Sequence, residues 1–154
     1  MFGDLNKAQI EAVINENIIG RLACSLNDSP YVVPVSYAYD GQFLYCRSLE
    51  GLKTTIMRKN PAVCFQVDTM KEMADWKSVI LRGTYEELTN EKERNAAIRK
   101  LEARSFPQIS SETVKFSKEW PFPTEDYNAI EGIIFRIRIN EKTGRCEVME
   151  RVTK

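Results

Sequence analysis

The chain has 154 residues, 43% hydrophobic and 29% charged, with 22 basic and 22 acidic side chains for a formal net charge of zero. That length suits one domain with a full core, expected over residues 1–154, and that composition folds rather than staying disordered. Zero net charge offers no electrostatic reason to bind nucleic acid or an acidic membrane, and no apolar run is long enough to span a bilayer.

Asn6-Lys7-Ala8-Gln9 reads as a capping box that opens a short helix, with Ile10, Val13 and Ile14 as its apolar face and its end near Asn15 to Asn17. Met1-Phe2-Gly3-Asp4 lacks the basic start and apolar stretch of a secretory leader, so a cytoplasmic location is expected. Ile18 to Leu26 alternates as a strand, Asn27-Asp28-Ser29-Pro30 reads as a turn, and Tyr31 to Tyr39 is a second strand. Asp40-Gly41 is a hairpin signal leading into a third strand, Gln42 to Ser48. Glu50 to Asn60 suits a short helix closed by Asn60-Pro61, and Ala62 to Asp68 returns to strand. A loop is expected to carry Met70, Met73 and Trp76 into a long strand, Ser78 to Leu88, with Gly83 at a bulge or bend. Asn90-Glu91-Lys92-Glu93 opens a helix to about Arg104, with Ala97, Ile98 and Leu101 inward. Residues 105–128 are irregular and aromatic, and read equally as a lid, with Trp120 its candidate residue, or as core packing or dimer interface. Ile133 to Ile139 alternates as a strand, Lys142-Thr143-Gly144 reads as a turn, and Arg145 to Val152 as a last strand. Six or seven strands with few, small helices predict a mainly β fold: an antiparallel barrel with peripheral helices.

Four cysteines, Cys24, Cys46, Cys64 and Cys146, form no C-x-x-C pair, which favours reduced, buried thiols over structural zinc. No histidine is present, so the usual general base, metal ligand and proximal haem ligand are missing, and no metal site is expected. The segment Tyr45 to Thr54 carries donors suited to a phosphate monoester: the Ser48 hydroxyl, a close approach at Gly51, the Lys53 charge and free N–H groups at a helix start. On spacing alone, an ordinary strand-to-helix connection with a solvated lysine explains these residues better. Arg136 and Arg138 share one strand face, read as a solvated edge before an anion contact, and Tyr37 and Tyr45 read as barrel wall.

Five segments follow one another in a distinctive order: Gly20-Arg21-Leu22-Ala23, Pro30 through Tyr37, Tyr45 through Lys53, Asn60 through Phe65, and Trp76 through Gly83. This order resembles the split-barrel proteins that bind flavin mononucleotide (FMN) and are related to pyridoxamine 5′-phosphate oxidase. It is most similar to their flavin-nucleotide-binding branch, which includes nitroimidazole-resistance proteins. The resemblance spans Leu5 to Leu101 and loosens in the C-terminal third. It implies a homodimer with FMN at the interface. Ser48 and Lys53 would hold the phosphate with Arg21 nearby, and Pro34, Val35, Ser36 and Tyr37 would line the ring and ribityl chain. Trp76, Ser78 and Val79 would approach from the partner subunit. Arg47 stands where many nitroimidazole-resistance relatives have histidine, and is either an added anion contact or a surface arginine. The tail Met149 to Lys154 lacks the arginine-rich motif of true pyridoxamine phosphate oxidases. The implied activity is electron transfer from a reduced nicotinamide to a small-molecule acceptor. The alternatives are a non-catalytic flavin store or sensor, or a split barrel holding a deazaflavin or haem.

Overall fold

A computed structural model of the chain describes residues 1–104 and 130–149. The aromatic segment at 105–128, with the lid reading of Trp120, lies outside the described residues, as does the end of the expected last strand.

Local chemistry sets the first elements. Helix α1 (Lys7–Glu16) begins at the expected capping box: the Asn6 side chain accepts the Gln9 N–H at 2.9 Å, and the Gln9 side chain accepts the Asn6 N–H at 2.9 Å. Strands β2 (Ile19–Leu26) and β3 (Ser29–Ser36) form a hairpin with Leu26 opposite Ser29. The turn is shorter than the sequence suggests. Asn27 and Asp28 both take left-handed backbone, φ 51° and 61°, the conformation of a tight two-residue hairpin.

Strands β1 (Phe2–Asp4), β4 (Ala38–Tyr39), β5 (Phe43–Ser48), β6 (Ala62–Glu72), β7 (Asp75–Glu87) and β8 (Ile133–Glu147) complete an antiparallel sheet. Its order is β3-β2-β6-β7-β8-β5-β4, with β1 added to β8. The two ends of that order, β3 and β4, are separated in the chain by Tyr37 alone. A sheet whose two ends meet at one residue has to curl round on itself, which is the barrel the strand pattern predicts and the split barrel the resemblance implies. Tyr37 fastens the join: its N–H donates to the Ile18 carbonyl at 3.0 Å and its hydroxyl to the Ile14 carbonyl at 2.6 Å.

Leu22, Leu44, Cys46, Phe65, Leu81, Phe135 and Ile137 are fully buried inside the curl. Ile10, Val13 and Ile14 of α1, and Ile56 and Met57 of helix α2 (Leu52–Lys59), pack into the same core. Helix α3 (Glu91–Glu102) lays Ala97, Ile98 and Leu101 outside, against Tyr45, Leu88 and Ile134. No helix among the described residues is long and apolar enough to cross a membrane. All four cysteines are free: Cys24 and Cys46 are buried, Cys64 and Cys146 half-buried.

Four expectations need correction. The second strand breaks at Tyr37 instead of running to Tyr39. The expected loop around Met70 and Trp76 is strand, with Met70 paired to Trp76. Its hairpin tip projects beyond the core, with Met70 65% and Met73 92% exposed, so no inward apolar alternation marks it. Lys142 to Gly144 is not a turn: β8 runs unbroken beside β7, from Phe135 opposite Glu87 to Glu147 opposite Trp76. Gly144 is there for space, because a Cβ would lie 2.8 Å from Leu5 Cδ1. Strand β1 was not foreseen; it exists because Gly3 meets Cys146 on the far edge of β8. The expected irregularity at Gly83 is present as a register shift against β8, and a Cβ there would run into the Arg138 carbonyl.

Candidate functional site

The barrel is open along one line. Strands β3 and β5 lie beside each other without sharing a ladder. Among the described residues, β3 pairs only with β2, and Cys46, Arg47 and Ser48 of β5 pair only with β8. One lip of this seam carries Pro34, Val35, Ser36 and Tyr37, and the other Arg47 and Ser48. The chain then leaves β5 for α2, so Lys53 stands at the end of the seam. Pro34 to Tyr37 and Arg47 to Ser48, distant in sequence, thus lie on the two strands that flank the seam.

The end of the seam has the chemistry of an anion cradle. Ser48 is buried, and its hydroxyl donates to the Leu49 carbonyl at 2.8 Å. The Gly51 N–H donates to Thr54 Oγ1 at 3.1 Å, whereas the N–H groups of Leu52, Lys53 and Thr54 have no carbonyl a turn earlier in the helix to bond. No acidic residue lies in the first turn of α2, and Glu50, just before its cap, is paired with Arg58. A Cβ on Gly51 would meet nothing within 4 Å. The sequence reads Gly51 as a point where the backbone lets a phosphate approach closely, and within one chain the space in front of it is open. Lys53 is half-buried and makes no ion pair among the described residues. Its charge reaches the barrel wall. Burial pushes the Cys46 and Cys24 thiols up, and the Lys53 ammonium opposes that rise in both.

The strand pleat divides the remaining sequence-predicted residues. Arg21, opposite Pro34 and Gln66, faces outward and is paired with Asp68 at 2.8 Å. Ser78 is on the same outer face, opposite Asp68, and its hydroxyl oxygen accepts from the Gln66 amide at 3.0 Å. Trp76 is half-buried, donating to Glu147 at 3.0 Å, with its ring 6.3 Å from that of Phe2. Val35, Tyr37 and Val79 turn their side chains into the core, so only their main chain faces the seam or the outer surface. Arg47 projects from the face of β5 opposite Ser48, and its guanidinium donates twice to the Glu131 carbonyl, at 3.0 and 2.8 Å. Arg136 and Arg138 are both held by Glu86, at 3.1 and 2.6 Å, which leaves them less suited to an external anion.

Sequence reading missed Gln66 and Asp68, whose link to Arg21 and Ser78 follows only from strand register. It also missed Arg58, which grips Glu50 from two helical turns away. An acid and an arginine eight residues apart across a predicted helix start were the available signal.

Residues 6–146 match the family model described as pyridoxamine 5′-phosphate oxidase. The chain is 32% identical over 142 residues to an uncharacterized protein of Rhizobium meliloti (strain 1021), covering 92% of this chain and 93% of that one. It is similar to the crystal structure of a FAD-binding protein from Mesorhizobium loti, with 31% identity, a TM-score of 0.73, and 97% and 98% of the two chains covered. A candidate 5-nitroimidazole antibiotic resistance protein from Bacteroides thetaiotaomicron shares the fold at 19% identity, with a TM-score of 0.71 over 95% of this chain and 87% of that one.

Proposed function

Because the chain belongs to the pyridoxamine 5′-phosphate oxidase family, we propose that it is an FMN-binding oxidoreductase, passing electrons from a reduced nicotinamide to a small-molecule acceptor. The observation that carries the reading is the placement of Ser48 at the end of β5 and Lys53 in the first turn of α2, on either side of the turn that leaves an unpaired barrel seam. A phosphate monoester carries nearly two negative charges at neutral pH and takes hydrogen bonds from several sides. Lys53 supplies the positive charge, the free N–H groups of α2 supply directed donors, and the Ser48 hydroxyl supplies one more by turning away from Leu49.

The ring lies along the seam in this reading, over the main chain of Pro34 to Tyr37, where a planar apolar group finds strand backbone and an apolar floor. A bound flavin supplies the two-electron chemistry itself. The chain's own residues bind, orient and exclude water, which is consistent with a protein that contains no histidine. Completion of the site falls to a second copy. Its Trp76 and Ser78 are presented on the outer face of β7, and its Val79 contributes through its main chain. Exposed Ile19, Val32 and Ile80 on the same outer sheet face, with the Arg21–Asp68 pair, supply apolar and polar contacts for that association.

A second reading, FAD in place of FMN, is favoured by one observation. A Cβ on Gly51 would meet nothing within 4 Å, so the turn beside a first phosphate is open to solvent. The similar Mesorhizobium loti protein is FAD-binding.

The visible spectrum of the purified protein tests flavin binding. Flavin bands are expected. A Soret-type band, or a protein that stays colourless after incubation with FMN and with FAD, contradicts it. Bleaching of those bands on adding NADH or NADPH supports the oxidoreductase, and an inert yellow protein returns it to a store or sensor.

A further inference from the structure

Glu50 immediately precedes Gly51, the residue that caps α2. A free carboxylate there would fold over the helix start and take the N–H groups for itself. It would also repel an incoming phosphate. The structure shows Glu50 turned along the side of α2 and neutralised there by a cation. Arg58, two turns further along α2, holds it with two bonds: Nη1 to Oε2 at 3.0 Å and Nη2 to Oε1 at 2.7 Å. Arg58 is itself aimed from the sheet, because its Nε donates to Glu87 at 2.8 Å, and Glu87 also accepts the Tyr85 hydroxyl at 2.7 Å. Thr54 adds a weaker contact from its hydroxyl to Glu50, at 3.3 Å.

We propose that Arg58 is a positioning residue for the phosphate end of the site: it holds and neutralises Glu50, the acid next to the cap of α2, so that the start of α2 and Lys53 are left to an external phosphate. This rests on the flavin-phosphate reading above. The pair is well exposed, at 40% for the Arg58 side chain and 65% for Glu50, so its contribution to fold stability is small. Its effect is directional. It decides whether the charge next to the cradle is a neutralised pair or a bare anion. Glu50 is held below the usual carboxylate range by Arg58, so the charge in question is present at neutral pH.

The test titrates FMN and riboflavin, which lacks the phosphate, into flavin-free wild type, Arg58→Gln, Glu50→Gln and the double variant, following quenching of flavin fluorescence. Arg58→Gln is expected to weaken FMN about tenfold, the scale of one unscreened charge near a phosphate, and to leave riboflavin unchanged. Glu50→Gln is expected to bind FMN at least as tightly as wild type, and the double variant to regain that affinity. Several results overturn the proposal: wild-type FMN affinity in Arg58→Gln, an equal loss for riboflavin, a drop in Glu50→Gln, or a loss that the double variant does not relieve. The last would make Arg58 a direct phosphate ligand or a purely structural link. Failure of the underlying reading looks different, because wild type would then bind FMN no more tightly than riboflavin.

Discussion

Asp40 shows how much one side chain does here. Its Oδ1 accepts the N–H groups of Gln42 and Phe43, at 2.9 and 2.8 Å, which holds the turn between β4 and β5. Its Oδ2 takes the Tyr45 hydroxyl at 2.8 Å and the Lys100 ammonium at 2.9 Å, which ties that hairpin to α3. Burial acts to raise the Asp40 pKa, but Lys100, the two N–H groups and Tyr45 outweigh it and bring the carboxyl down to about 2. A carboxylate held below its unfolded value, about 3.9, stabilises the fold above that value and loses its contribution as pH falls toward the folded one. Stability is therefore expected to drop from about pH 4 downward. Asp40→Asn should show a shallower drop, measured as the urea midpoint against pH; identical profiles would exclude Asp40 as a source of the acid sensitivity. At this scale the sequence showed Asp40-Gly41 as a turn, because Asp and Gly act locally. It did not show Lys100 or Tyr45 as partners, because the fold brings them. The same limit applies in the site. Ser48 and Lys53 are legible as neighbours in sequence, whereas the outward aim of Arg47 and the inward aim of Val79 depend on which face of a strand is buried.

At the scale of elements, β8 carries the clearest test. A Lys-Thr-Gly run reads as a turn until its partner is known. Here β7 supplies a partner along the whole length, and Leu5 and Ile10 press on Gly144 from α1 and the link before it. Gly144→Ala would place a Cβ 2.8 to 3.0 Å from Leu5 and Ile10. Overpacking of this kind is expected to cost about 1–3 kcal/mol, seen in urea or thermal unfolding. Unchanged stability would restore the reading of Gly144 as a permissive turn residue. Both helix starts at Asn6 and Asn90 were legible, since the Asn side chain accepts a backbone N–H three residues on, at 2.9 and 3.2 Å. The tip of the β6–β7 hairpin was not, because strand beyond the core carries no apolar alternation.

For the whole molecule, barrel closure was foreseeable from many short strands and few helices, but the seam was not. It arises because Tyr37 passes the chain from one end of the sheet to the other, while β3 and β5 stay unpaired. A site that opens along such a seam is completed from outside, hence the proposed second copy. Light scattering after size exclusion is expected to give twice the 17.8 kDa of one chain. Val32→Glu, at a site 60% exposed on the outer face, is expected to shift that mass toward one chain and release flavin with it. A monomer that keeps its flavin would remove the partner's role. The central claim is that the β5–α2 turn holds the phosphate, and the flavin content of purified Lys53→Glu beside wild type tests it most directly. Circular dichroism confirms that both are folded. A folded but colourless variant beside a yellow wild type is the expected result, since attraction for the phosphate becomes repulsion; equal flavin in the two would contradict the assignment.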